Sequence, residues 1–101
     1  MEKLRLKIHR SNRWIVAICD SEIFGSKFSK DGFSLDLSTN FFNGEEIDTE
    51  SARKKIRQGL AEDASFNIVG EKSIALALEE GIISKEGIKN ICGIPVALVL
   101  L

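Results

Sequence analysis

His9 is the sole histidine of the chain, and Cys19 and Cys92 are its two cysteines, so nucleophilic or acid–base chemistry has few side chains to draw on. A thiol becomes a nucleophile only beside a base or a positive charge. His9 and Cys19 could meet only across a hairpin, and there His9 would sit beside the turn and Cys19 at the far end of the second strand. Both cysteines lie alone in separate apolar runs, which reads as buried, reduced thiols. A zinc site needs about four His, Cys or carboxylate ligands brought together, and these residues are scattered, so no metal is expected. The run Asn67-Ile-Val-Gly-Glu-Lys-Ser73 ends in residue types that a phosphate-binding loop uses, but it lacks the first glycine and the Gly-Lys-Ser adjacency. It reads instead as a helix start. A bare helix N-terminus at Gly70 and Glu71, with Lys72 beside it, would attract a phosphate or sulfate. No cofactor is expected.

The remaining chemistry is nucleic-acid recognition. Phe41 and Phe42 precede Gly44 and could lay an exposed ring against a base. Lys3, Arg5 and Lys7, together with Arg53, Lys54 and Arg57, could follow the phosphates. Against this stand two plainer readings: both rings in the core, and the basic cluster as a solvated helix face. Net charge is −1, but it is unevenly spread: residues 1 to 13 carry +4 and residues 20 to 50 carry −6. A basic patch is the least that a nucleic-acid partner requires.

The elements that must position these residues follow from pattern. Leu4, Leu6 and Ile8 alternate with basic residues as in a half-buried strand, and Trp14 to Cys19 is apolar on both faces, so the two form a hairpin around 10–13. Asp20-Ser21-Glu22 reads as the cap of a short helical turn through Phe24, ended by Gly25. A loop to Gly32 then precedes an alternating strand Phe33 to Leu37 near the sheet margin, and Phe41 to Gly44 forms a tight turn. Asp48 or Thr49 caps a helix over 50–62 with an apolar stripe Ala52, Ile56, Leu60. The central core helix starts at Gly70 or the residue before it and stops at Gly81, with Ile82 folding back on its last turn and Ile74, Ala77 and Leu78 as its inner face. Ser84 caps a short turn through Ile88, and Ile91 to Leu101 is a buried strand with Pro95 near its start.

A chain of 101 residues with 44% hydrophobic and 29% charged residues is one globular domain, 1–101. It shows neither a signal-peptide pattern nor an apolar run near 20 residues, which points to a cytoplasmic protein with no membrane partner.

Several segments in order resemble one family, the small archaeal proteins grouped as domain of unknown function 424. They are Val16-Ala-Ile-Cys-Asp20, Ile23-Phe-Gly-Ser-Lys27, Phe41-Phe-Asn-Gly-Glu45, Asn67-Ile-Val-Gly-Glu71 running into Ala75-Leu-Ala-Leu-Glu-Glu-Gly-Ile-Ile83, and Gly93-Ile-Pro95. Relatives often carry a polar residue after that proline, where this chain has Val96. The resemblance implies a small cytoplasmic archaeal protein, regarded as RNA-binding and associated with translation, and carries over no catalytic residue. The expected fold is a single α+β domain, a mixed or antiparallel sheet with two or three helices packed on it. The leading expectation for function is an RNA- or ribosome-associated accessory protein; the alternative is a module that binds another protein and no nucleic acid. An enzyme ranks third, and oligomeric state is left open.

Overall fold

Lys3–His9 (β1) and Ile15–Asp20 (β2) form the expected antiparallel hairpin, with Leu6 opposite Ile18 and His9 opposite Ile15. The structure is a computed structural model that describes residues 3–100. Glu2, counted in the N-terminal charge, and Leu101, at the end of the expected last strand, lie outside the described residues. Alternation turns Leu4 and Leu6 inward and leaves Arg5, Lys7 and His9 on the opposite face.

The stretch after β2 departs from expectation. Residues 21–25 make hydrogen-bonded turns rather than a helix, because the carboxylate expected to cap them is engaged elsewhere. Lys27–Lys30 (β3), read as loop, pairs with Phe33–Asp36 (β4) across the two-residue turn Asp31-Gly32, whose φ values are 52° and 83°. That turn matches the twist of two strands. The pair stands as its own two-stranded ribbon, not at the margin of the main sheet. A 3₁₀ turn at Asn40–Phe42 follows, then Glu45–Asp48 (β5), a strand hidden from sequence because Ile47 is its one apolar residue.

Thr49–Ala61 (α1) starts as expected: the Asp48 carboxylate accepts from the Ser51 N–H at 2.8 Å. Its inner stripe is Ala52, Ile56 and Gly59, whereas Leu60 is 39% exposed. Gly59 is the packing position because a Cβ there would come within 3.0 Å of Val16 Cγ2 and 3.1 Å of Phe66 Cζ. Ser65–Val69 (β6) then runs parallel to β2, with Ile18 opposite Ile68. Sequence reading placed Asn67 to Val69 at a helix start, whereas they complete a central strand.

Glu71–Glu79 (α2) has the predicted punctuation. Gly70 is its N-cap, Gly81 follows its last turn at φ 73°, and Gly81 and Ile82 donate to the Leu78 and Ala77 carbonyls at 3.1 and 3.2 Å. Ser73, Ile74, Leu76 and Ala77 are buried, while Leu78 is only partly so and Ala75 faces water in line with Glu71 and Glu79. Ser84 precedes a 3₁₀ turn at Lys85–Gly87. The last apolar run is two strands: Lys89–Ile91 (β7) turns at Cys92-Gly93, with φ of 55° and 83°, into Ile94–Val99 (β8). Cys92 is thus partly exposed in a turn, not buried, and Leu98 projects into solvent.

The six-stranded sheet has the order β5-β1-β2-β6-β8-β7, with only β2 and β6 parallel, so it is mixed. Both helices pack on one face, around Leu4, Leu6, Val16, Ile18, Phe66, Ile68 and Ala97. On the far face a smaller core gathers Cys19, Leu37 and Val69 under Phe24, Phe28, Leu35 and Phe42. The ribbon and the 3₁₀ turn cover that face in place of helices. Among the described residues no helix is long and apolar enough to cross a membrane.

Candidate functional site

The expected anion position at Gly70, Glu71 and Lys72 is filled by the protein itself. Asp20, 2% exposed at the end of β2, accepts from the Lys72 N–H at 3.0 Å and the Ser73 N–H at 2.8 Å, and from the Ser73 hydroxyl at 2.7 Å. The unpaired N–H groups and positive dipole end that would draw a phosphate draw this carboxylate instead. Lys72 turns its ammonium to Glu22 at 3.3 Å. The cavity beside the helix start, about 100 Å³, is walled by Glu22, Glu71 and Pro95 and presents acid to a visitor.

The basic face of α1 is likewise met by acids. Arg53 Nη1 and Arg57 Nε each approach the Glu80 carboxylate at 2.8 Å, and Glu50 and Glu79 lie within 3.4 and 3.7 Å of Arg53. The two arginines brace α1 against the end of α2, and of the three cations proposed there only Lys54 has no carboxylate within ion-pair distance among the described residues. Hydrogen bonds from Arg57 and Arg53, in that order, hold the Glu80 carboxyl below its ordinary 4.5. A carboxyl depressed by folding stabilises above its unfolded pKa and loses that contribution as pH falls through the folded one. Urea unfolding of Glu80→Gln should therefore show a lower midpoint than the natural chain at neutral pH, with the gap closing as pH drops below 4.5.

The far face of β1 is different, for its cations reach neutral groups. Arg5 Nη1 donates to the Gly44 carbonyl at 3.1 Å and its guanidinium lies 4.6 Å over the Phe24 ring. Lys7 Nζ donates to the Asn40 carbonyl at 2.9 Å, and His9 Nε2 to the Phe41 carbonyl at 3.0 Å. Three β1 side chains thus hold the 40–44 segment down, and the Lys7 charge remains uncompensated by acid among the described residues. Lys3 is exposed at the other end of β1, opposite Asp48.

Phe41 and Phe42 are each half-buried and meet edge to face at 5.1 Å. Phe42 belongs to the smaller core, while Phe41 stacks on the His9 ring, 4.7 Å away and 12° from parallel. Just past β1, the Arg10 guanidinium lies 4.7 Å over the Trp14 ring. His9 was weighed from sequence only as a base for Cys19, and Arg10 and Trp14 were not singled out as site residues. The signal was there in the alternation, which places His9 on the Lys7 face, but the partner rings come from 32 residues away or from across the turn.

Cys19 pairs with Arg5 while His9 pairs with Ile15, so the two lie four residues apart along the hairpin, about 13 Å. Burial, then the neighbouring Asp20 charge, pushes the Cys19 thiol up to about 12, so it stays protonated and donates to the Asp20 carbonyl. Among the described residues no group of three or more His, Cys, Asp or Glu is placed to hold a metal ion.

A family model described as "Protein of unknown function (DUF424)" matches residues 8–101. No curated protein matches the chain. The fold is similar to that of an uncharacterized conserved protein from Methanopyrus kandleri known from its crystal structure, with a TM-score of 0.85 and 24% identity over 96% of this chain and 90% of the other.

Proposed function

Since the chain belongs to the family described as "Protein of unknown function (DUF424)", a description that states no activity, we propose a function from the surface alone: binding of single-stranded RNA at the turn end of the β1–β2 hairpin. The observation that carries it is that this end of the hairpin carries two cations, Lys7 and Arg10, with no carboxylate within ion-pair distance among the described residues, and an aromatic ring on each face of the sheet: Phe41 stacked on His9 on the far face, and Trp14 under the Arg10 guanidinium on the helix side. Phosphates supply affinity through cations, and bases stack on aromatic rings and guanidinium planes. Of the original candidates, Lys7 and Phe41 remain in this reading. Lys3 and Arg5 extend its basic face along β1, Phe42 supports Phe41 from below, and Arg53 and Arg57 serve the helix brace.

The protein-interface reading has a thinner basis. Phe33, Leu98 and Leu100 are exposed, but Phe33 lies against Cys92 at the β7–β8 turn while Leu98 stands toward the other end of β8.

Fluorescence anisotropy with a labelled oligouridine tests the RNA reading. The double variant Lys7→Gln/Arg10→Glu, which keeps a donor for the Asn40 carbonyl, should bind at least about tenfold more weakly at low salt. Lys54→Glu, on the helix that starts beside the opposite end of β1, should bind within about twofold of the natural chain. Equal binding by all three proteins would overturn the assignment of this face.

A further inference from the structure

Beside that hairpin turn lies a cavity of about 270 Å³, walled by Ser11, Asn12, Arg13 and Trp14 on one side and by Glu62 and Asp63 on the other. We propose that it reads a guanine base of the bound RNA, an inference that rests on the RNA-binding reading above. Its volume lies just below the small-molecule range of roughly 300–1,000 Å³, a size for one base rather than a folded partner.

The lining decides which part of the RNA enters. Two adjacent carboxylates, Glu62 and Asp63, accept hydrogen bonds and donate none. The group that enters must therefore bring donors. Guanine presents two neighbouring N–H donors on its Watson–Crick edge, which a carboxylate accepts as a pair, and carries acceptors on its other edge for the side-chain amide of Asn12. Uracil offers one such donor, and adenine and cytosine offer one amino group beside a ring acceptor that a carboxylate opposes. Trp14, with Arg10 against its ring, gives the cavity a planar wall.

The two walls are fixed relative to each other. Trp14 O accepts from the Ser65 N–H at 2.9 Å, joining the hairpin to the strand that follows Asp63. At the end of α1, Asp63 N–H donates to Leu60 O at 3.1 Å and Ala64 N–H to Gly59 O at 2.9 Å, with Asp63 itself left-handed at φ 53°. The backbone that carries Glu62 and Asp63 is thus held at a closed helix end before anything binds.

Trp14 is the one tryptophan and the chain has no tyrosine, so intrinsic emission reports this wall directly. The probes are three five-nucleotide RNAs, UUGUU, UUAUU and UUUUU, titrated at low salt. UUGUU should bind at least about fivefold more tightly than the other two and shift Trp14 emission most. In Glu62→Gln/Asp63→Asn, where asparagine keeps the left-handed backbone accessible, the preference should fall to within about twofold while UUUUU still binds. Equal affinity for the three RNAs in the natural chain overturns the guanine subsite and leaves RNA binding standing. A preference that survives the double variant also overturns it. No binding of any RNA overturns both readings.

Discussion

Gly70→Ala should remove about 4 kcal/mol of stability, a large share of the roughly 5–15 kcal/mol that holds a domain together. Gly70 sits at φ 109° and ψ 156°, a backbone region that is essentially closed to residues with a Cβ. An added Cβ would also lie 2.6 and 2.7 Å from the two Asp20 carboxylate oxygens. The backbone strain accounts for about 1–3 kcal/mol. Displacing the carboxylate would strand the Ser73 N–H, the Ser73 hydroxyl and the Lys72 N–H, each at about 1–3 kcal/mol when buried and unmet. Urea unfolding followed by circular dichroism checks this. A midpoint equal to that of the natural chain would mean that the Asp20 tie contributes nothing to stability.

Gly44→Ala should be nearly as severe, at about 3 kcal/mol, and should weaken RNA binding as well. A Cβ on Gly44 would land on the Leu6 carbonyl group and within 2.6 Å of the Lys7 nitrogen. β1 cannot retreat, since Leu6 is paired to Ile18 on one side and Glu45 on the other. The 40–44 segment must lift instead, loosening the bonds from Arg5, Lys7 and His9 and the stack of Phe41 on His9. Faster amide exchange at Phe42, Asn43 and Gly44, with a lowered urea midpoint and weaker oligouridine binding, is the expected signature. Unchanged exchange there would show that the close approach can relax without detaching the turn.

What could be read from sequence was what is local in the chain. The β1–β2 hairpin, the Asp48 cap and the Gly70-to-Gly81 helix each carry their signals within a few residues, and each formed where those signals stood. Strands whose evidence is their partner were invisible. β5 shows one apolar residue, β3 shows one phenylalanine, and β6 stands between two helices whose signals mask it. The candidate sites failed or moved for the same reason. Asp20 reaches across 53 residues to fill the helix start, and Glu80 across 27 and 23 to meet Arg53 and Arg57. Charge clusters in a sequence carry no mark of which cations will find a carboxylate in the fold.

The most direct test of the RNA-binding account is the slope of log K against log salt for oligouridine and the natural chain. Each phosphate neutralised contributes about −0.7 for a single strand, so contacts from Lys7 and Arg10 predict a slope of about −1.4 or steeper. In Lys7→Gln/Arg10→Glu the slope should become shallower by about that amount. A slope that these substitutions leave unchanged, or the absence of binding at the lowest salt, would contradict the account.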